Sequence, residues 1–154
     1  MRTLVPFIPP RSKRDPLTRS QIMARIRSSD TRPETLTRKA VHALGVRFRI
    51  HASDLPGKPD LSNKKYKWAI FVHGCFWHSH RGCKLASSPK SNRSYWAEKL
   101  EGNRRRDAEH LAALRSLGFR VLTVWECEVR DGKRMEKGIV AFFRNRPDLS
   151  RTAD

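Results

Sequence analysis

Within nine residues, Cys75-Phe76-Trp77-His78-Ser79-His80-Arg81-Gly82-Cys83, the chain places two thiols and two imidazoles, and a third cysteine, Cys127, follows the apolar run RVLTVWE. Zinc prefers tetrahedral thiolate and imidazole ligands, and a loop that supplies three of them, with a strand end that supplies the fourth, closes such a site. Cys75, Cys83, Cys127 and one imidazole, that of His78 or His80, form a candidate Cys3His structural site with no open position. That pin constrains the fold, because it ties the stretch from His73 to about Asn92 to the end of a strand far along the sequence. Metal binding also supplies ordering energy for a loop this long and this rich in His, Cys, Gly, Ser and Pro. The plainer alternative is an ordinary buried cysteine at 127 beside an incidental His/Cys run.

Three cysteines are an odd count, which argues against a disulfide-stapled secreted scaffold. No apolar run approaches the roughly 20 residues that span a bilayer, and the start MRTLVPFIPPRSKR is too short in apolar residues and too rich in proline for a secretory signal. A cytoplasmic domain with no membrane partner is expected. Its 33 basic and 15 acidic side chains leave a net charge of +18, which favours a polyanionic partner, nucleic acid before any other. Charge argues for binding and says nothing about chemistry.

Residues 1–16 contain several prolines and basic residues without periodicity and read as a flexible basic arm. Leu17 to Arg27 has helical apolar spacing. A second helix starts in SSDTRPET, with Thr31 as N-cap, Pro33 in the first turn and Glu34 in capping-box position; Leu36, Ala40, Val41 and Leu44 mark its buried face and Gly45 its end. Val46–Ile50 alternates as a half-buried strand, Asp60-Leu61 opens another, SNKK is the hairpin tip, and Tyr66–Val72 is apolar enough for a central strand. Ser94–Leu117 reads as a long helix with Trp96, Leu100, Leu111, Leu114 and Leu117 on one side. Arg120–Trp125 is a further strand, and Met135–Arg144 a last helix carrying Ile139, Val140, Phe142 and Phe143. Trp68 and Trp125 are expected in the core; His42, His51 and His110 at the surface. The order α-α-β-β-β-α-β-α predicts an α/β fold, a mixed sheet flanked by helices, in one domain over 17–145 with a tail at 146–154.

The acidic minority holds one suggestive placement. Pro59-Asp60 enters one strand of the hairpin, and the return strand ends in His73, with His78 five residues later. Mg²⁺-dependent phosphodiester cleavage needs hard oxygen ligands to hold the ion against the phosphate and a base or acid for water and leaving group. The second acidic residue and the lysine usual in such hairpins are absent, and His73 stands where the lysine would be. Taken alone, Pro-Asp also serves as a turn that caps a strand.

LPGKPD (55–60), IFVHGCFWH (70–78), the series Tyr95, Trp96, Lys99, Asn103, Arg106 and Asp107, and VLTVWEC (121–127) together resemble the very-short-patch mismatch-repair endonucleases, from about Arg19 to Phe143 and in family order. The resemblance implies a restriction-endonuclease-like fold with a structural zinc site. It also implies a monomer that nicks double-stranded DNA 5′ to the thymine of a T·G mismatch left by deamination of 5-methylcytosine, at the nucleoid and ahead of downstream repair proteins. By position, Asp60 is similar to the Mg²⁺-binding carboxylate, assisted by the main-chain carbonyl of Val72. His78 matches the general base, His73 a second active-site histidine, and Glu34 a glutamate that reaches the metal-water network. Cys75, His80, Cys83 and Cys127 match the zinc ligands, although two residues separate His80 from Cys83 where the family pattern has one. Gly82 in that insertion lets the loop bulge. Phe76, Trp77 and Trp96 resemble aromatic residues that wedge into the duplex, and Lys99, Asn103 and Arg106 fall with them as DNA-binding residues.

Each assignment has a simpler counterpart. The capping box accounts for Glu34 without catalysis, Trp96 suits a helix core equally, and Arg104, Arg105 and Arg106 suit a solvated helix face as well as a phosphate grip. Phe76 and Trp77 are harder to bury in so polar a loop, and apolar wedges that unstack a base step are a known use of exposed aromatics. Two further readings compete with the mismatch nuclease: a zinc-stabilised module that binds DNA without cutting it, and a related nuclease of a mobile element or restriction system with another specificity.

Overall fold

The computed structural model describes residues 21, 22 and 25–144. The basic arm, most of the helix expected from Leu17 and the tail from 146 lie outside the described residues. The chain has left that first helix by Arg25, whose N–H donates to the Ile22 carbonyl 3.1 Å away.

Helix α1 (Arg32–Ala43) forms where the capping box placed it: Thr31 is the extended N-cap, its hydroxyl oxygen accepts from the Glu34 N–H, and the Thr31 hydroxyl meets Glu34 Oε1 at 3.1 Å. Gly45 follows in the left-handed region at φ 72°. Strand β1 is only Arg49–Ile50, β2 is Leu61–Asn63 and β3 is Trp68–His73. Helix α2 (Arg93–Ser116) crosses over to β4 (Arg120–Trp125), and two helices end the described chain, α3 (Glu126–Arg130) and α4 (Gly132–Arg144). The four-stranded sheet runs β1-β2-β3-β4, antiparallel except that β3 and β4 are parallel, with Leu61 opposite Ile70 and Val72 opposite Val124.

Why β3 is apolar throughout follows from its place. Side chains alternate across a strand. Trp68 and Ile70 enter a cluster with Val41 of α1, Val129 of α3 and Met135, Ile139 and Phe143 of α4. Ala69 and Phe71 enter a second cluster with Leu114 of α2, Leu55 and Phe119. The sheet is covered on both faces, as the mixed α/β expectation required. Among the described residues no helix is long and apolar enough to cross a membrane.

Several boundary residues differ from expectation. Leu44, Leu117, Val140 and Ile50 are exposed. Leu44 and Leu117 follow the last helical turn, where the chain turns away from the packed face. On α1 the buried positions go to Glu34, Thr37 and Val41, with Leu36 and Ala40 packed beside the core. Cys127 lies in α3, one residue into the helix that follows β4, rather than on a strand end. Trp125, expected in the core, is half-buried and forms a wall described below.

Candidate active site

The hairpin brings its Pro-Asp to one end of the sheet. Asp60 immediately precedes β2, and the Val72 N–H near the end of β3 donates to its Oδ2 at 2.7 Å. A strand residue points its N–H and C=O to the same edge, so the Val72 carbonyl also faces the Asp60 side. Burial pushes the Asp60 carboxyl up to about 6, with the nearby Glu34 charge adding to the rise, while the Val72 hydrogen bond, His51 and Arg38 pull against it. A carboxylate held this uncomfortably is primed to accept a cation.

Asp60 opens on a cleft of about 410 Å³ that also holds Glu34, His73, His78, Arg106 and Asp107. His78 sits on the loop after β3, and its Nδ1 lies 2.6 Å from Oδ2 of Asp107 on α2. Its ring stacks flat on His73, centroids 3.8 Å apart and planes 3° from parallel. Burial, with the His78 charge beside it, lowers His73 to about 4, so it is neutral near pH 7. The two parallel rings direct their lone pairs along parallel planes, and a nitrogen of each lies with the Asp107 carboxylate in a group whose ligand atoms are within 4.8 Å of one another. The sequence marks Asp107 only as part of a motif, because a carboxylate on a polar helix face has no local signal that separates it from a solvated one.

Asn103, one turn before Asp107, donates from Nδ2 to the Trp77 carbonyl at 2.9 Å and accepts from Arg106. These two side chains therefore brace the His78 loop on α2.

Glu34 is 5% exposed and sits where α1 meets the cleft. Its Oε2 receives the Asp30 N–H at 2.9 Å and Arg38 Nη2 at 3.2 Å, and His51 Nε2 lies at 3.2 Å. Asp30, Glu34 and His51 gather as a cation-binding group would, but the Arg38 guanidinium already supplies the positive charge there. His51 is thus not the surface residue expected; nor is His110, which is half-buried, lines the cleft and leaves no room for a Cβ at Gly57. His42 is exposed.

On the other side of His78 the three cysteines converge with His80, not His78. Cys75 Sγ is 3.5 Å and Cys127 Sγ 3.4 Å from His80 Nδ1, and the four ligand atoms, including Cys83, lie within 4.8 Å of one another. Zinc–sulfur bonds of about 2.3 Å at tetrahedral angles put neighbouring ligand atoms about 3.8 Å apart, so this spacing fits that ion. The Cys127 N–H points at Cys75 Sγ from 3.4 Å, as amides do towards thiolates. Without an ion, burial pushes the Cys75 thiol up to about 12 and raises Cys127, whereas the Leu85 N–H lowers Cys83. Left-handed backbone at Ser79 (φ 51°) and Gly82 (φ 69°) turns the loop on either side of His80.

Trp125 stands between the two sites. It stacks on His80, centroids 4.1 Å apart and planes 3° from parallel, and meets His73 edge-on at 5.3 Å. Beyond the cleft Phe76, Trp77, Trp96 and Tyr95 form one aromatic group, with centroids 5.1–5.9 Å apart in successive pairs. Trp96 is buried at 7% exposure and backs the others, while Tyr95 is exposed. Lys99 Nζ lies 5.6–5.7 Å from the Tyr95, Trp96 and Trp77 rings, a cation held over aromatic faces.

The profile of the family described as "DNA mismatch endonuclease Vsr" matches residues 12–85. A type II nicking enzyme, V.XorIIP of Xanthomonas oryzae, is 47% identical over 75% of this chain and 85% of its own length. The DNA mismatch endonuclease Vsr of Escherichia coli is 39% identical over 79% of this chain and 77% of its own, and the nicking enzyme V.NmeAIP of Neisseria meningitidis 42% over 73% and 80%. The protein is a DNA endonuclease, a hydrolase. It belongs to the DNA mismatch endonuclease Vsr family.

Proposed function

We propose that this protein nicks duplex DNA on the 5′ side of the thymine in a T·G mispair, in a Mg²⁺-dependent hydrolysis carried out on a restriction-endonuclease-like, zinc-stabilised fold. The observation that carries the chemistry is that Asp60, Glu34 and the His78–Asp107 pair share one cleft.

Asp60 and the Val72 carbonyl are hard oxygen donors suited to Mg²⁺, with Glu34 close enough to engage water around it. An ion held by these donors would supply Lewis-acid polarisation of the scissile phosphate and charge compensation at the leaving oxygen. The protein's own part is proton management. Asp107 accepts from His78 Nδ1–H, which leaves Nε2 free to take a proton from the attacking water. His73, neutral and stacked on His78, keeps that ring oriented and offers one hydrogen bond towards the phosphate.

Recognition falls to Phe76 and Trp77, backed by Trp96, which unstack the step beside the mispair. A mispaired step costs less to open than a matched one, so insertion itself discriminates. Lys99 adds positive charge beside the wedge, and Asn103 and Arg106 keep the loop that bears Trp77 in place. Cys75, His80, Cys83 and Cys127 would hold a structural Zn²⁺ with these four side chains as its ligands. We place the enzyme in the cytoplasm at the nucleoid, acting as a monomer ahead of downstream repair proteins.

The relatives named as type II nicking enzymes support nicking of one strand and also suit a nuclease that accompanies a restriction system. One experiment separates these readings from a binding module. Duplexes carrying T·G in several flanking contexts, other mispairs and fully matched controls are incubated with and without Mg²⁺, and products are mapped on both strands. The expected result is a Mg²⁺-dependent nick on the thymine strand, absent in Asp60→Ala and reduced in Trp77→Ala more for T·G than for any residual matched cutting. Equal cutting of matched DNA would overturn the mismatch reading, and binding without product would overturn catalysis.

A further inference from the structure

We propose that His51 is a positioning residue that fixes the Glu34 carboxylate against Asp60; the proposal rests on the reading that both carboxylates serve the cleavage reaction. Glu34 takes most of its hydrogen bonds from its own segment. Thr31, Asp30 and Arg38 all belong to α1 or the turn that leads into it, so they orient Glu34 within its own segment. They do not relate it to the sheet that carries Asp60. Among the described residues, the ring that reaches the carboxylate from the sheet side is that of His51, with Nε2 at 3.2 Å from Oε2.

The same residue is tied to Asp60. The His51 N–H donates to the Asp60 carbonyl at 3.2 Å, continuing the ladder in which Ile50 faces Leu61. Its Nε2 also stands 4.0 Å from Asp60 Oδ1. One ring therefore lies within hydrogen-bond distance of Glu34 and 4.0 Å from the Asp60 carboxylate, so it bridges the space between the two acidic groups. That conformation is unusual: His51 has φ 47°, in the left-handed region, immediately after β1. Histidine tolerates this region better than most residues, yet it is still strained, and such outliers persist where the surroundings impose them. Here the imposed turn ends the strand's alternation and swings the ring towards α1. The ring is also only 22% exposed and wedged beside Arg38 Nη2 at 3.2 Å, so it has little freedom to leave.

A residue of this kind acts on rate rather than on DNA affinity, because misplacing a carboxylate by about 1 Å costs heavily in the transition state. Three substitutions separate reach from backbone preference. Gln carries a polar atom to nearly the place of Nε2 and can donate or accept. Asn keeps the left-handed preference but falls short of Glu34. Ala loses both.

The test measures single-turnover nicking and duplex affinity for the full chain and for H51Q, H51N, H51A, E34Q and the E34Q/H51A double variant, across a Mg²⁺ titration. Urea unfolding of the same zinc-loaded proteins without Mg²⁺ is read as a double-variant cycle. Expected are a tenfold or greater loss of rate in H51N and H51A, with affinity within twofold and a raised Mg²⁺ midpoint. H51Q should stay within threefold of the parent. E34Q/H51A should be no slower than E34Q alone, and the stability effects of the two changes should be non-additive. Unchanged rate in H51A, equal loss in H51Q and H51A, or full multiplication of the two losses would each overturn the positioning role. If E34Q nicks normally while Asp60→Ala is inactive, the use of Glu34 falls and the His51 proposal falls with it, while the Asp60 reading stands.

Discussion

Nδ1 of His78 lies 2.6 Å from Oδ2 of Asp107, a pair formed between the loop that follows β3 and the crossover helix α2. Both groups keep about a quarter of their side-chain surface exposed, so the ring can still meet water in the cleft. Because a carboxylate only accepts, Nδ1 carries a proton, and in the neutral ring the lone pair is on Nε2. Asp107→Asn keeps the shape but can satisfy the opposite tautomer. It should lower the single-turnover nicking rate by about 10²-fold or more, in the range general-base assistance supplies, with DNA affinity little changed. Loss of affinity with an unchanged rate would assign Asp107 to binding instead.

The burial of Asp60 makes a prediction about stability. Its carboxyl is raised to about 6, so the folded protein holds this proton more tightly than the unfolded chain does. The contribution is fully present below pH ~4 and is lost as pH rises through about 6; at neutral pH the difference amounts to roughly 3 kcal/mol held against the fold. His73 works in the other direction: lowered to about 4, it contributes stability above pH ~6.5 that disappears as pH falls. A comparison of wild type with Asp60→Asn isolates the carboxylate. By urea unfolding without Mg²⁺, the variant should be the more stable protein at pH 7.5, and its advantage should vanish near pH 4. An advantage equal at both values would rule out desolvation of the charge as its source.

What could be read from the sequence follows from how local each signal is. The capping box of Thr31 and Glu34 lies within four residues and formed as expected. The continuous apolar run became a strand covered on both faces, because only such a strand buries Trp68 and Ala69 alike. The cysteine spacing also brought its four groups together. By contrast, the Asp107 partnership spans 29 positions and depends on which face of α2 meets the loop. His51 depends on a left-handed turn and a partner 17 positions away. No periodicity announces either. Trp125 reads as core because its strand is apolar, yet as the last strand residue it stands beyond the packed layer, between two histidines.

Zinc removal should unfold the loop rather than merely loosen it. The stretch from Gly74 to Asn92 contains only one short 3-10 turn, Lys84–Ala86, and the Cys/His group is what gathers its first half onto α3. Cys83→Ser or Cys127→Ser should abolish stoichiometric zinc, measured by elemental analysis, and cost more than about 4 kcal/mol, the range reserved for loss of a structural metal. Because Cys75 is protonated without an ion, reloading the stripped protein should release protons to a pH indicator. Full stability after chelation would remove zinc from the account of the fold.

Trp125 gives the Cys/His group a way to act on the cleft. His80, Trp125, His73 and His78 form a continuous series of ring contacts, two of them flat stacks with planes 3° from parallel. If the metal fixes His80, the indole face fixes His73, and His73 sets the plane of His78. Trp125→Phe keeps a flat surface, whereas Trp125→Leu keeps apolar bulk without one. The leucine variant should therefore retain its zinc and most of its stability, within about 3 kcal/mol of the parent, since the half-buried indole leaves only a modest cavity. Its nicking rate should nevertheless fall about tenfold or more, and the phenylalanine variant should recover most of that loss. Equal rates for leucine and phenylalanine would mean that the zinc group supports the loop alone and that the ring contacts transmit nothing to His78.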